Sequence, residues 1–192
     1  YLMTDMEYER IFIIAPNKTV TWQWNASSYY DAPADPTEVD WLHINDVDRI
    51  GPDRFLVSVR NANQLVIVER GEGVVEVINE DTTDANDGVC QVPGRLADRD
   101  EDGEIRCGDP ALFKEQHNPQ WLGPNAILVA DSTNNRIVEI HRNETGWEIA
   151  WQLSSTGGIP FSWPRDADRL QNGNTLITDS VNQRVVAVNQ SG

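Results

Sequence analysis

Four stretches of this chain repeat one pattern, and that repeat limits the possible fold more than any other feature. Asp53 to Val68 (DRFLVSVRNANQLVIV) aligns with Asn125 to Ile140 (NAILVADSTNNRIVEI) and with Asn174 to Val188 (NTLITDSVNQRVVAV). The opening YLMTDMEYERIFII, Tyr1 to Ile14, fits the same frame. Asp5, Val59, Asp131 and Asp179 share one column, and Arg10, Gln64, Arg136 and Arg184 share another. Each copy reads as a buried strand, a polar turn and a second strand in which apolar and polar residues alternate. A further strand precedes each later copy, at Asn45 to Ile50 and Asp166 to Leu170, with Asn118 to Leu122 as a divergent version. Another follows, at Val20 to Trp24, Val74 to Ile78 and Ile149 to Leu153.

Four short strands per unit, recurring at about 45–50 residues, predict an all-β β-propeller of four-stranded antiparallel blades. One such sheet cannot bury both faces alone, so its neighbours must cover it. The first copy starts at its second strand and the last ends before its fourth. The chain thus holds two complete blades and two partial ones, about three to four in all. It reads as a single partial propeller domain over residues 1–192, completed by further segments of the same polypeptide or by a homo-oligomer. An opening on Tyr1 rather than Met agrees with missing upstream sequence. The column spacings of 54, 72 and 48 residues expose an insertion of about 24 residues within 79–114.

The formal net charge is -16, from 31 acidic and 15 basic residues. A nucleic-acid partner is not expected, because phosphate contacts need a basic face. Only Lys18 and Lys114 are lysines. An acidic surface nearly without lysine suits high salt, where the Debye length falls to ~3 Å and self-repulsion costs little. Sequons at Asn17, Asn25, Asn143 and Asn189, with an even cysteine count, favour an extracytoplasmic, oxidising location. No apolar run approaches the ~20 residues that span a bilayer.

The insertion carries D-x-D-x-D-G-x-I. Asp98, Asp100 and Asp102 alternate, Gly103 permits a sharp turn, Glu104 offers a backbone carbonyl and Asp109 closes the loop at the twelfth place. Carboxylates at positions 1, 3 and 5 converge on one hard cation, so this loop is expected to hold structural Ca²⁺. Asp rather than Glu at the twelfth place weakens bidentate ligation. A disulfide between Cys90 and Cys107 would staple the loop.

Of three histidines, His141 lies at a surface turn. His43 and His117 each stand at the mouth of a blade's first strand, an end that faces the central channel in a propeller. Asn45 follows His43 by two and shares its strand face, and Arg60 closes the next strand. Trp163 and Arg165 in WPRDADR stand where a further polar channel group fits. Histidines in such places also cap turns in inert propellers, so spacing alone does not establish catalysis. The tryptophans at 22, 24, 147 and 151 read as packing between blades.

WLHINDVDRI with FLVSVRNANQLVIV, QHNPQW with ILVADSTNNRIVEI, and WPRDADRLQNGNTLITDSVNQRVVAV resemble the arylsulfotransferase family, and most of all its haloarchaeal branch. The resemblance spans the chain apart from the insertion. It implies a six-bladed propeller that moves a sulfuryl group from a small phenolic sulfate to a phenol through a sulfohistidine. It implies His117 as nucleophile, His43 and Asn45 as the H-x-N pair, and Arg60 as the sulfate-binding arginine. A further histidine would come from a blade before Tyr1. It implies no organic cofactor, and a site at the cell surface or outside it. The alternative is a non-catalytic extracellular propeller for binding or surface assembly.

Overall fold

The computed structural model describes residues 1–34, 40–80, 92–98 and 105–189. They fall into two compact units, Tyr1–Asp109 and Pro110–Gly192. Among the described residues there is no α-helix. One 3-10 turn occurs, at Ala26–Ser28, and no helix is long and apolar enough to cross a membrane.

The first unit opens with the sheet β1 (Leu2–Asp5), β2 (Arg10–Ile14) and β3 (Val20–Asn25). The second sheet is an antiparallel meander of β4 (Ile44–Arg49), β5 (Arg54–Val59), β6 (Gln64–Glu69) and β7 (Gly73–Ile78). A two-residue ladder, β8 (Ala97–Asp98) with β9 (Ile105–Arg106), lies in the insertion. In the second unit β10 (His117–Gly123), β11 (Ala126–Asp131), β12 (Arg136–Asn143) and β13 (Gly146–Leu153) form another four-stranded meander. The short pair β14 (Ser155–Thr156) and β15 (Ile159–Pro160) leads into the three-stranded sheet β16 (Pro164–Arg169), β17 (Thr175–Asp179) and β18 (Arg184–Val188). The two complete and two partial sheets expected from the repeat are all present.

The sequence explains which strands are central. Phe55 to Val59 in β5 and Ile127 to Asp131 in β11 are buried without a break, so residues pointing to either face of these strands are shielded from water. β13, GWEIAWQL, alternates exposed with half-buried residues, as an outermost strand with one wet face must. In the first unit, Ile11, Trp24, Ile44, Phe55, Val57 and Val66 form the core between sheets. Trp22 of β3 stacks on Phe55 of β5 with centroids 4.6 Å apart, an arrangement that adds about 0.5–1.5 kcal/mol to its area burial. The second unit packs Leu128, Ala130, Ile137, Phe161, Ala167 and Ile177 together, with Trp151 and Leu153 against them. Trp22, Trp24 and Trp151 therefore pack as their alternation suggested.

The two repeat columns close the hairpin tips. Asp5 pairs with Arg10, Val59 with Gln64, Asp131 with Arg136 and Asp179 with Arg184, each as the last pair of its ladder. The residue just before the second column is left-handed in every copy: Glu9 (φ 46°), Asn63 (φ 53°), Asn135 (φ 54°) and Gln183 (φ 53°). Asparagine tolerates that region best, and it fills two of the four places. In the second unit the aspartates become buried knots. Asp131 accepts from Arg136 Nε at 2.6 Å, from Asn134 Nδ2 and from the Lys114 backbone N–H at 2.8 Å. Asp179 repeats the set with Arg184 at 2.7 Å, Asn182 at 2.8 Å and the Ser162 N–H at 2.8 Å. Arg136 and Arg184 also donate to backbone carbonyls of the segment leading into their sheet, Ala111 and Ile159 respectively.

Asp131→Ala is expected to cost about 3–5 kcal/mol, because it removes the buried half of the ion pair with Arg136 and takes the acceptor from the Lys114 backbone N–H. The same change at the more exposed Asp5–Arg10 pair is expected to cost under about 1 kcal/mol. Urea denaturation of the two variants reads the contrast; equal losses would mean that burial does not govern the clamp.

Candidate active site

The strands β4, β10 and β16 open the three later sheets, and the segment before each must place several backbone N–H groups. Ser162 N–H goes to Asp179 of its own sheet and Trp163 N–H to Asn135 Oδ1 of the preceding one, at 2.8 Å each. At the mouth of β4 the column holds Val59, which cannot accept. Glu9, from the tip of the preceding sheet, takes over. Its carboxylate accepts from the N–H groups of Leu42 (3.0 Å), His43 (2.7 Å) and Ile44 (2.9 Å). Glu9 is buried, and burial pushes its carboxyl above the ordinary value; the three N–H donors oppose that rise and the charge of Asp40 adds to it.

His43 is thereby pinned in the left-handed region (φ 52°), and Glu115 (φ 48°) and Trp163 (φ 51°) take the same conformation at the equivalent place in the other two sheets. The two histidines are therefore not equivalent. His43 stands just ahead of Ile44, which pairs with Val59, whereas His117 is itself the first residue of β10 and pairs with Ala130. His117 matches Asn45 and Arg165 instead. This corrects the expectation that both histidines precede their strands. Arg60 likewise lies in the turn after β5, which ends at Val59, and occupies the place of Ser132.

The first unit does bring His43 and Arg60 side by side. Arg60 N–H meets the His43 carbonyl at 3.4 Å. The Asp40 carboxylate accepts from His43 Nδ1, so that nitrogen carries a hydrogen and Nε2 is the one that gains or gives a proton. Arg60 donates to Asn61 Oδ1 at 3.0 Å, and Asn61 Nδ2 donates to the Asp40 carbonyl at 2.7 Å. Asn45, half-buried, is the second residue of β4.

In the second unit His117 Nδ1 lies 3.1 Å from the Glu115 carbonyl and 2.8 Å from Ser132 Oγ. A carbonyl only accepts, so Nδ1 is the protonated nitrogen and Nε2 holds the lone pair. Ser132 is buried and passes its own hydrogen to the Pro164 carbonyl at 2.6 Å, or to that of Ala130 at 3.4 Å. Glu115 is held in turn by Thr133. The Trp163 ring meets His117 edge-on at 6.4 Å. Next to them Asn118 Nδ2 donates to Asp166. Burial, and then the charge of Asp168, raise the Asp166 carboxyl against the pull of Asn118 and the Ala167 N–H. Sequence reasoning missed Ser132, although its place directly after the aspartate column marks it. It missed Glu9 and Asp40 as well, which act through the fold and carry no motif.

His141 is exposed and bonds Glu139 at 2.7 Å, a surface role as expected. Of the cation loop, Asp100, Asp102 and Glu104 lie outside the described residues, as does Cys90, and Asp98 is described by its backbone alone. Asp109 is exposed, with its carbonyl accepting from Asn79 Nδ2 at 2.9 Å; Cys107 is buried. Among the described residues no three acidic, histidine or cysteine side chains gather as a metal site.

No family model and no curated protein sequence matches the chain. Solved structures do resemble it. Virginiamycin B lyase from Staphylococcus aureus aligns with a TM-score of 0.55 at 12% identity, over 100% of this chain and 49% of that one. A streptogramin B lyase aligns at 0.56 and 11%, over 100% and 48%. A protein of unknown function from Bacteroides caccae aligns at 0.51 and 17%, over 100% and 58%. This chain thus spans about half the length of the lyases it matches. Likeness at such identity speaks to the fold alone: the sheets are blades of a β-propeller, and the chain is part of one.

Glu9 titrates above its unfolded value of 4.5. The folded chain therefore binds this proton more tightly. The stability gained from it is complete below about pH 4.5 and is lost as the pH rises through the folded value. Glu9→Gln also misplaces a donor against a backbone N–H and is expected to destabilise by about 1–3 kcal/mol. The stability gap between wild type and variant is expected to narrow as the pH rises through that window, read from denaturation midpoints. A gap that widens would reverse the sign assigned to Glu9.

Proposed function

We propose that the protein is an aryl sulfotransferase that carries a sulfuryl group on His117. The observation that supports it most is the hydrogen bonding of Nδ1 to the Glu115 carbonyl, which leaves the lone pair on Nε2. In the first step Nε2 attacks the sulfur of a phenolic sulfate. The N–S bond forms as the S–O(aryl) bond breaks, and the phenolate leaves with the electron pair. In the second step the oxygen of an acceptor phenol attacks the same sulfur, its proton passes to a base, and the N–S electrons return to the imidazole. A covalent intermediate splits one hard displacement into two easier ones. The transferred group has little covalent need beyond in-line positioning and stabilisation of its spread negative charge. Arg60 would grip the sulfuryl oxygens with its planar fork. His43, held by Asp40, would protonate the leaving phenolate, and Asn45 would donate to an oxygen. The missing blades of the six-bladed propeller would be supplied by the same polypeptide or by other copies. We place the protein outside the cell or at the surface of a salt-loving archaeon, with its sequons glycosylated. The insertion is proposed to hold structural Ca²⁺ through Asp98, Asp100, Asp102, the Glu104 carbonyl and Asp109, stapled by a Cys90–Cys107 disulfide.

A second reading, a non-catalytic propeller for binding or assembly, is favoured by one observation. Ser132 joins His117 to the Pro164 carbonyl, so this histidine also ties β11 to β16. Incubation with an aryl sulfate donor and a phenol acceptor separates the two. We expect turnover by the wild type, a sulfuryl adduct on His117 when the acceptor is withheld, and loss of both in His117→Ala. Equal turnover in the two proteins, or none in either, would remove the reading of His117 as sulfuryl carrier. A rise in thermal midpoint with Ca²⁺ that a chelator reverses is expected from the cation loop, about 2.7 kcal/mol at a hundredfold excess over Kd; no shift would remove the ion from the account.

A further inference from the structure

The hairpin tip that carries Arg60 is held differently from the tips of β11–β12 and β17–β18. In those two, Asp131 or Asp179 is tied to the asparagine three residues on and the arginine five residues on. Each asparagine also donates to the segment leading into its sheet, Asn134 to the Pro110 carbonyl at 3.0 Å and Asn182 to the Pro160 carbonyl at 2.9 Å. In β5–β6 the three places hold Val59, Ala62 and Gln64, so an ion-paired knot cannot form. Yet this is the covered tip. Asn61, Ala62, Asn63 and Gln64 are all buried, whereas Asn134 and Asn135 in one counterpart, and Asn182 and Gln183 in the other, are exposed.

Tyr30 takes Gln64, and the described ends of the insertion take the rest. Gly108 N–H donates to the Ala62 carbonyl at 2.8 Å. Asn79 is buried and left-handed (φ 70°). Its Nδ2 donates to the Asn63 carbonyl at 2.8 Å and to the Asp109 carbonyl at 2.9 Å. A Cβ on Gly108 would run into the Asn63 carbonyl oxygen, so only glycine lets the two segments come this close.

The tip is joined in turn to the segment of His43. Asn63 N–H closes the turn on the Arg60 carbonyl at 3.0 Å, and Asn61 N–H reaches the Leu42 carbonyl at 2.9 Å. Asn61 uses both ends of its buried amide, accepting from Arg60 and donating to the Asp40 carbonyl. The Asp40 carboxylate holds the His43 ring. An unbroken run of hydrogen bonds thus leads from Asn79 and Gly108 to Arg60 and His43, all within the first unit.

We propose that the insertion is a positioning element for the His43–Arg60 pair. Glu9 replaces the missing aspartate as acceptor for the incoming segment, and Asn79 with Gly108 replaces the rest of the knot by fixing the turn. Asn79 and Gly108 act through Arg60 and His43 and touch no reacting group. Only the turnover arm of the test rests on the sulfuryl-transfer reading.

The test reads the histidine rings one by one. The chain has three, His43, His117 and His141, so nitrogen NMR spectra of the intact chain separate them. Asn79→Gly keeps the left-handed backbone and removes both donations. It is expected to move the His43 tautomer balance away from the Nδ1–H form and to leave His117 and His141 as in the wild type. Gly108→Ala is expected to move His43 further; should it fail to fold, Asn79→Gly decides. Arg95→Ala, which removes the exposed ion pair of the insertion with Asp31, is expected to leave all three rings unchanged. Sulfuryl transfer by Asn79→Gly is expected to fall about tenfold or more, in kcat rather than KM, because a small displacement of a charged donor is costly. Thermal midpoints accompany each variant. A His43 ring indifferent to Asn79→Gly would overturn the proposal. So would equal disturbance of all three rings, which marks general loosening. A selective His43 response in a chain without turnover would uphold the positioning element and defeat the transfer reading. Turnover that requires His117, with His43 indifferent to both variants, would do the reverse.

Discussion

Backbone N–H groups that lead into a buried strand have no water to turn to, and this fold answers them with side-chain acceptors carried on hairpin tips. Ser162 and Lys114 are met by the aspartate of their own sheet, and Trp163 by an asparagine of the sheet before. Each acceptor fixes where an inner strand starts relative to its neighbour. An orphaned N–H there would cost about 1–3 kcal/mol. The demand is strict enough that a missing acceptor is replaced from elsewhere. Where the column holds Val59 the preceding tip holds Glu9, whose two oxygens serve three N–H groups. The clamp partner changes too: Gln64 stands for arginine and binds Tyr30 Oη at 2.9 Å. An apolar column in the second sheet and an acidic tip on the first are one compensated change.

The same anchors fix a set of polar positions at the strand mouths. Three residues in the left-handed region, His43, Glu115 and Trp163, turn the chain into its inner strand, and the next but one residue in each sheet is Asn45, His117 or Arg165. The side chains of that position are all polar, at the mouths of strands that are themselves mostly half-buried. Polar groups at the mouth of a strand are held by the sheet yet face its end, which suits preorganised hydrogen bonding better than a loop would. Glu115 illustrates the coupling. Its backbone carbonyl orients the His117 ring while its carboxylate takes the Thr133 hydroxyl.

Much of this was legible from the chain. Period, strand positions and hairpin columns came directly from pattern, because a blade's buried inner strands and polar tips repeat with little freedom. The ragged first and last sheets were legible for the same reason. The two-residue offset between His43 and His117 was not, since a left-handed residue at the strand mouth and a register shift between His117 and Gln120 break the simple alternation on which counting depends. Glu9 was illegible because its partners lie more than thirty residues away and its role exists only once two sheets pack. The cation loop stays a sequence argument, its central residues lying outside the described part of the chain.

The bonds that His117 makes serve the fold, and they would also serve the proposed chemistry. Its Nδ1–H bond to the Glu115 carbonyl, and its bond to a serine that reaches the Pro164 carbonyl, hold β10, β11 and β16 in register. A nucleophilic imidazole needs the same bonds, because a ring free to flip would present either nitrogen and spread its lone pair over two orientations. Loss of stability on removing His117 therefore says nothing about catalysis, and retention of the fold says nothing against it. What separates the roles is the far side of the ring. A structural histidine requires nothing in particular there, whereas a transferase requires donors aimed at three equatorial oxygens within reach of Nε2.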